Sequence, residues 1–102
     1  MTATLANRIA GVLADAGVKR MFGIPGGGSS LDLIDAGHRA GIEFILNRTE
    51  AAAGIMAAVT GEITGEPGVV LVGVGPGTSS VVNAVAYASL ERSPMIVFAD
   101  GP

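Results

Sequence analysis

Residues 65–77, with the sequence GEPGVVLVGVGPG, decide how this chain folds. The first four residues, Gly65 to Gly68, are typical of a turn, and the next four, 69–72, are all apolar. A half-exposed strand would alternate apolar and polar residues. The unbroken apolar run therefore predicts a strand that is covered on both faces, as in a parallel sheet between two layers of helices. The glycines at 73, 75 and 77 predict a glycine-rich loop where this strand ends.

Short apolar strands and amphipathic helices alternate on either side of this stretch. Helices are predicted from about residue 5 to a stop at Gly17, from a cap at Ser29 or Ser30 to about Gly41, from a cap at Thr49 to about Thr64, and from Thr78 to about Glu91. Further strands are predicted at 20–24, 42–46 and 95–98. This order predicts an α/β fold in which a parallel sheet carries helices on both faces. Since the chain stops directly after the fourth strand, we expect residues 1–102 to be one partial domain, truncated before its sheet is complete.

Composition excludes several classes of protein. The net charge is −3, and the six Lys and Arg residues are scattered without the basic stripe that nucleic-acid binding requires. The absence of cysteine excludes disulfides and cysteine metal sites, and one histidine, His38, cannot form a multi-histidine site. The uncharged run between Glu66 and Glu91 is long enough to span a bilayer, but its prolines, glycines and polar residues predict strand, loop and helix instead. We therefore expect a cytoplasmic protein that binds neither nucleic acid nor a membrane.

Four loops are expected at the carboxyl ends of the strands, the edge where open α/β sheets bind their ligands. They are residues 23–30, 47–50, 73–80 and 99–102. Glycines in the first of them would let the backbone approach a phosphate, but Gly28 stands where the phosphate-loop motif requires a lysine. A glycine-rich turn between strand and helix is therefore the simpler interpretation of this loop.

Glu50 follows the second strand in an alanine-rich segment and admits two interpretations. An acidic residue in the first turn of a helix stabilises the helix dipole and needs no further role. A carboxyl group in an apolar pocket could instead hold a proton and pass it on during a reaction. The preceding residues, Asn47, Arg48 and Thr49, are interpreted as loop and cap residues.

Five segments of the chain occur together in an order that resembles one enzyme family. They are Phe22 to Gly26, Arg48 to Ala53, Gly65 to Val72, Gly75 to Thr78 and Ser93 to Ile96. In this order and spacing they resemble the pyrimidine-binding domain of thiamine diphosphate-dependent 2-oxo acid enzymes, nearest the acetolactate synthase group. The resemblance covers nearly the whole chain, from about Ala6 to Gly101.

The resemblance implies roles for the residues at the carboxyl edge. Glu50 would be the catalytic residue, which hydrogen-bonds the pyrimidine N1′ of thiamine diphosphate and promotes loss of the thiazolium C2 proton. The pyrimidine and reaction pocket would be lined by the other matched residues, Pro25, Gly26, Gly75, Pro76, Gly77 and Thr78. The diphosphate and its Mg²⁺ would be held by a different domain, contributed by a second subunit of a homodimer or homotetramer. The substrate would be a small 2-oxo acid, and we expect the chain alone to be inactive and to bind no cofactor measurably.

Three departures from the family pattern leave the fold unaffected and the substrate open. Thr49 stands where many acetolactate-type members carry His, Ser80 replaces a frequent Asn, and Ala99-Asp100-Gly101 replaces a small residue, Gly and Gln. Two alternatives also stay open. The chain could be a split subunit of an enzyme like sulfopyruvate or phosphonopyruvate decarboxylase, or a non-catalytic α/β ligand-binding module. A buried acid at position 50 favours an enzyme over such a module.

Overall fold

The structure, a computed structural model, describes residues 4–26 and 29–100, with Ser29 described by its backbone alone. The helices are α1 (Leu5–Asp15), α2 (Ser29–Arg39), α3 (Glu50–Thr64), α4 (Pro76–Ser80) and α5 (Val82–Glu91). The strands are β1 (Arg20–Gly23), β2 (Glu43–Leu46), β3 (Gly68–Val72) and β4 (Met95–Ala99). Among these helices, none is long and apolar enough to cross a membrane. The predicted loop residues Gly27, Gly28, Gly101 and Pro102, and the cap predicted for the Ser29 side chain, lie outside the described part.

The four described strands form one parallel sheet in the order β2-β1-β3-β4. β1 pairs with both β2 and β3, and β4 pairs with β3 along its whole length. Every residue of β3 is buried, as its unbroken apolar sequence predicts. The predicted α/β fold, a parallel sheet with helices on both faces, is confirmed.

Each face of the sheet has its own apolar core. The core beneath α1 and α2 consists of Leu13, Val18, Met21, Leu33, Ile42, Val69 and Leu71. The core beneath α3 and α5 consists of Phe22, Ala53, Ala57, Val70, Val72, Val81 and Ala84. Successive side chains of a strand point to opposite faces, so the residues of β3 are divided alternately between the two cores.

Local capping interactions explain where the longest helix begins and ends. The Thr49 side chain accepts a hydrogen bond from the Ala52 N–H, which satisfies one of the unpaired donors at the start of α3. Gly65, with φ of 77°, ends α3 in the left-handed conformation that glycine adopts without strain. The cap predicted for Ser30 is wrong, because this residue lies inside α2 and its hydroxyl donates to Asp100.

The last predicted helix, Thr78 to Glu91, is longer than expected and divided in two. The helical conformation begins at Pro76, since proline has the φ of a helix and lacks only an N–H that the first turn would leave unpaired. It is interrupted at Val81, whose ψ of −6° departs from helical values. Pro76 and Gly77 therefore belong to the first turn of α4 and not to a loop.

Small residues let α3 approach its neighbours at backbone contact distance. A Cβ atom placed on Gly68 of β3 would lie 1.7 Å from the Ala57 carbonyl oxygen, and one placed on Gly54 would lie 2.3 Å from the Ala84 Cβ of α5. Neither position has room for a side chain. Gly68 therefore determines how closely α3 lies on the sheet, and Gly54 determines how closely it lies against α5.

We predict that Gly68→Ala lowers the free energy of unfolding by about 1–3 kcal/mol, because the added methyl group forces α3 away from β3. Gly11→Ala is the matched control. Nothing lies within 4 Å of a Cβ at Gly11 in α1, so this change should raise stability by roughly 0.5–1 kcal/mol. Urea unfolding of the intact protein measures both effects. A Gly68→Ala variant as stable as the parent would contradict the close packing of α3.

A second prediction concerns Tyr87 of α5. A hydrogen bond to the Glu62 carboxylate of α3 raises the pKa of Tyr87 above its ordinary value of 10.0, because the bond favours the protonated phenol. The folded pKa is the higher one, so this contact stabilises the fold below about pH 10 and is lost as the pH rises through the folded pKa.

We expect Glu62→Gln to lower the pKa of Tyr87 towards its ordinary value. Glu91→Gln is the control, because Glu91 acts on Tyr87 only through its charge and is the weakest cause of the shift. The measurement is the tyrosinate absorbance titration of each protein minus that of the same protein with Tyr87→Phe. An equal effect of the two variants would show that the hydrogen bond is not the main cause.

Candidate functional site

A crevice is expected where β1 and β3 end side by side. The chain leaves β1 through α2 towards β2 on one side, and leaves β3 through α4 and α5 towards β4 on the other. Connections that diverge in this way open a gap between two adjacent loops at the carboxyl edge. The loops here begin at Ile24 and at Gly73, and a Cβ atom on Gly26 would lie 3.5 Å from the Gly73 Cα.

Glu50 is the first residue of α3 and lies at the same edge, after the end of β2. Its side chain is half-buried. The Thr49 cap and the fully buried Ala53 and Ala57 hold the first two turns of α3 against the sheet. Because the helix N-terminus carries a partial positive charge, a carboxylate at this position is stabilised even without a cationic partner.

The structure brings Glu50 next to Gly77, another of the predicted site residues. A Cβ atom on Gly77 would lie 3.4 Å from Glu50 Oε2, and Gly77 itself is buried. The absence of a side chain at Gly77 therefore lets the first turn of α4 lie directly against the carboxylate. The Glu50 carboxyl group thus lies between α3 and α4, where it can accept a hydrogen bond, or donate one when it is protonated.

The loop between β3 and α4 connects the two sides of this crevice. Gly26 lies against Gly73 at its start, and Glu50 lies against Gly77 beyond its end. The Thr78 hydroxyl donates a 2.8 Å hydrogen bond to the Gly73 carbonyl, which ties the first turn of α4 back to the end of β3. Of the other predicted lining residues, Pro25, Gly75 and Pro76 are exposed at this edge. Their roles stay predictions.

Sequence reasoning missed two polar contacts at this edge. The Gly23 N–H donates to Asn47 Oδ1 over 3.0 Å, so Asn47 is more than a loop residue. The Ser30 hydroxyl, only 4% exposed, donates to Asp100 Oδ2 over 2.7 Å. The partners are 24 and 70 residues apart in sequence, so no local pattern signals either bond.

The described residues include no group of three His, Cys, Asp or Glu side chains placed to hold a metal ion. At the carboxyl edge, Glu50 and Asp100 belong to different surroundings. Glu50 faces Gly77, and Asp100 accepts the Ser30 hydroxyl beside the first turn of α2. Both carboxylates border the crevice: Glu50 Oε2 lies 3.4 Å from a Cβ position on Gly77, and Asp100 Oδ2 lies 3.7 Å from a Cβ position on Gly26.

The sequence is similar to known proteins along nearly its whole length. The sequence profile described as "Thiamine pyrophosphate enzyme, N-terminal TPP binding domain" matches residues 3–102; thiamine pyrophosphate is another name for thiamine diphosphate. The chain is 45% identical over 86 residues to the acetolactate synthase isozyme 3 large subunit of Escherichia coli, covering 83% of this chain and 15% of that protein.

Two further relatives show a similar relation. An acetolactate synthase of Bacillus subtilis is 41% identical over 88 residues, which are 85% of this chain and 15% of that protein. A "probable 2-ketoarginine decarboxylase" of Pseudomonas aeruginosa is 36% identical over 96 residues, which are 94% of this chain and 17% of that protein. The chain thus spans about a sixth of the length of these relatives. The resemblance inferred from the five sequence segments is confirmed, and the chain belongs to the thiamine pyrophosphate enzymes, in their N-terminal TPP-binding domain.

Proposed function

We propose that this chain is part of a thiamine diphosphate-dependent decarboxylase or carboligase of the acetolactate synthase type, which acts on a small 2-oxo acid. In this proposal the chain supplies the glutamate side of the active site. The observation that carries it is the position of Glu50, whose carboxylate lies against Gly77 at the carboxyl edge of the sheet. The relatives named as acetolactate synthases support the reaction type.

The residues present fit the pyrimidine half of the cofactor. A flat heterocycle needs a slot without side chains and a hydrogen-bond partner at one end of it. Gly26, Gly73 and Gly77 have no side chains to fill the crevice, and Glu50 provides the partner. When bound, thiamine diphosphate supplies the carbanion chemistry that amino-acid side chains lack.

The chain's own residues would bind, orient and exchange a proton. The Glu50 carboxyl group would form a hydrogen bond with the pyrimidine N1′ and share a proton at that atom. The two ends of the crevice would hold the ring on either side, with Pro25 and Gly26 at one end and the residues from Gly75 to Thr78 at the other. Thr49 keeps α3, and therefore Glu50, in place through its cap on Ala52.

A partner must complete this site. We propose that Mg²⁺ and the diphosphate are held by another domain of a second subunit, within a homodimer or homotetramer. The exposed apolar side chain of Ile55 on α3 is suited to being covered by that subunit, because the free energy falls when an apolar group leaves water.

Within this class, simple decarboxylation that releases an aldehyde is the alternative to carboligation. It is favoured by the relative named as a probable 2-ketoarginine decarboxylase, whose similarity covers 94% of this chain. Product analysis with pyruvate distinguishes the two: a carboligase forms a condensed acid, and a simple decarboxylase forms an aldehyde.

We predict that Glu50→Gln in the intact protein slows C2 proton exchange of bound thiamine diphosphate by about a hundred- to ten-thousand-fold, the usual contribution of one positioned acid–base group. Glutamine is nearly isosteric and can still form a hydrogen bond, but it cannot share a titrating proton. Stability should change little, because the Thr49 cap remains. The exchange rate is measured by NMR after quenching in acid.

Glu43→Gln is the matched control, because Glu43 lies on β2, the strand that precedes α3, and is exposed. Its ion pair with Arg20 is long, at 3.9 Å, and both side chains are more than half exposed, so its loss should cost little. An exchange rate of Glu50→Gln within about threefold of the parent would show that Glu50 only stabilises the helix dipole. The catalytic proposal would then be wrong.

A separate prediction tests the binding slot. Gly77→Ala would place a methyl group 3.4 Å from Glu50 Oε2, in the space proposed for the pyrimidine ring. We expect thiamine diphosphate to bind at least about tenfold more weakly, which corresponds to 1.4 kcal/mol, within the usual cost of overpacking. Calorimetric titration measures the affinity, and unchanged binding would place the cofactor elsewhere.

A further inference from the structure

We propose that Asn47 is a positioning residue, which holds the turn between β2 and α3 against β1 and so determines where the Glu50 carboxyl group lies. The inference rests on the proposed catalytic role of Glu50. Asn47 acts through the backbone that leads to Glu50.

Asn47 binds both backbone groups of Gly23. The Gly23 N–H donates to Asn47 Oδ1 over 3.0 Å, and the Asn47 N–H donates to the Gly23 carbonyl over 3.0 Å. The second bond continues the β1–β2 ladder and needs no particular side chain. The first bond is made by the asparagine amide. It gives the turn a second attachment to β1, beside the backbone hydrogen bond.

Gly23 is a rigid point for this attachment. It pairs with Leu46 on one side and with Leu71 on the other, at the centre of the sheet. A Cβ atom on Gly23 would lie 2.2 Å from the Leu71 carbonyl oxygen, so β1 and β3 meet there at a distance that leaves no room for a side chain.

The NH₂ group of the Asn47 side chain contacts α3. Asn47 Nδ2 donates to the Met56 sulfur over 3.0 Å, so the side chain bridges β1 and the second turn of α3. Thioether sulfur is a weak acceptor and Met56 is 47% exposed, so this contact is the lesser of the two. Glu50 lies between Asn47 and Met56 in the sequence. The turn between β2 and α3 consists of three residues, Asn47, Arg48 and Thr49.

A small shift of this turn would matter for proton exchange, because a displacement of about 1 Å can slow a reaction about a hundredfold. The expected loss is smaller than that, since one neutral hydrogen bond changes an equilibrium by a factor of roughly 2–12. We therefore expect replacement of Asn47 to slow C2 proton exchange moderately, and only while the Glu50 carboxyl group is present.

The test compares Asn47→Leu, which keeps the approximate size without hydrogen bonds, with Asn47→Asp, which keeps the Oδ1 acceptor. Two quantities are measured in the intact protein. The first is amide hydrogen exchange at Gly23 without cofactor, and the second is C2 proton exchange with saturating thiamine diphosphate and Mg²⁺. We expect Asn47→Leu to speed Gly23 amide exchange and to slow C2 exchange about fivefold or more. Asn47→Asp should stay within about threefold of the parent in both.

The double variant of Asn47→Leu with Glu50→Gln separates positioning from a merely structural role. If Asn47 acts by positioning the Glu50 carboxyl group, its replacement should not slow C2 exchange further once that group is gone. Met56→Leu is the control for the contact with α3 and should leave both exchange rates at the parent values. Asn47→Ala replaces Asn47→Leu if the latter does not fold.

Three results would overturn the inference: unchanged C2 exchange in Asn47→Leu, equal slowing of that exchange in the parent and Glu50→Gln backgrounds, or equal slowing by Met56→Leu. Failure of the proposed function is distinguishable, because it shows as normal C2 exchange in Glu50→Gln itself. Normal C2 exchange in Asn47→Leu together with slow C2 exchange in Glu50→Gln would reject the positioning role of Asn47 but not the proposed function.

Discussion

The contact between α3 and β3 is the constraint on which the rest of the structure depends. β3 is hydrogen-bonded to β1 on one side and to β4 on the other, and all its residues are buried. It is therefore held firmly between its neighbours. The helix lies on it at backbone distance, because Gly68 leaves room for the Ala57 carbonyl. Close packing of this kind gains many dispersion contacts and tolerates no added methyl group. Since Glu50 is the first residue of α3, the same contact determines how far the carboxylate extends over the edge of the sheet.

Glycine backbone lines much of the crevice, and the Glu50 carboxyl group lies beside it at Gly77. Gly26 and Gly73 approach each other across the ends of β1 and β3, and Gly77 lies against the Glu50 carboxylate. Asp100, at the same edge, accepts the buried Ser30 hydroxyl instead. Both carboxylates follow a strand, but their partners differ. Asp100 connects the end of β4 to α2, and Glu50 lies between α3 and α4.

The sequence predicted the elements whose signals are local. The run at 69–72 is a buried strand because it has no polar side, and Thr49 caps α3 because its hydroxyl lies next to an unpaired N–H. The start of α4 at Pro76 was missed, since glycines on both sides of the proline favoured a loop. The sequence predicts a cap at Ser29 or Ser30, because the partner of Ser30, Asp100, is 70 residues away and no local pattern connects them.

By itself, the sequence determined the α/β class, the parallel sheet, the family resemblance and the placement of Glu50 after a strand. Only the tertiary structure decided that Glu50 faces Gly77, and that Asn47 attaches its turn to Gly23. The reason is physical. Local patterns report which residues are apolar and where a helix can begin, and these depend on near neighbours in the chain. Contacts across the carboxyl edge depend on strand order and on the depth of helix packing, which arise when distant segments bury their apolar faces together.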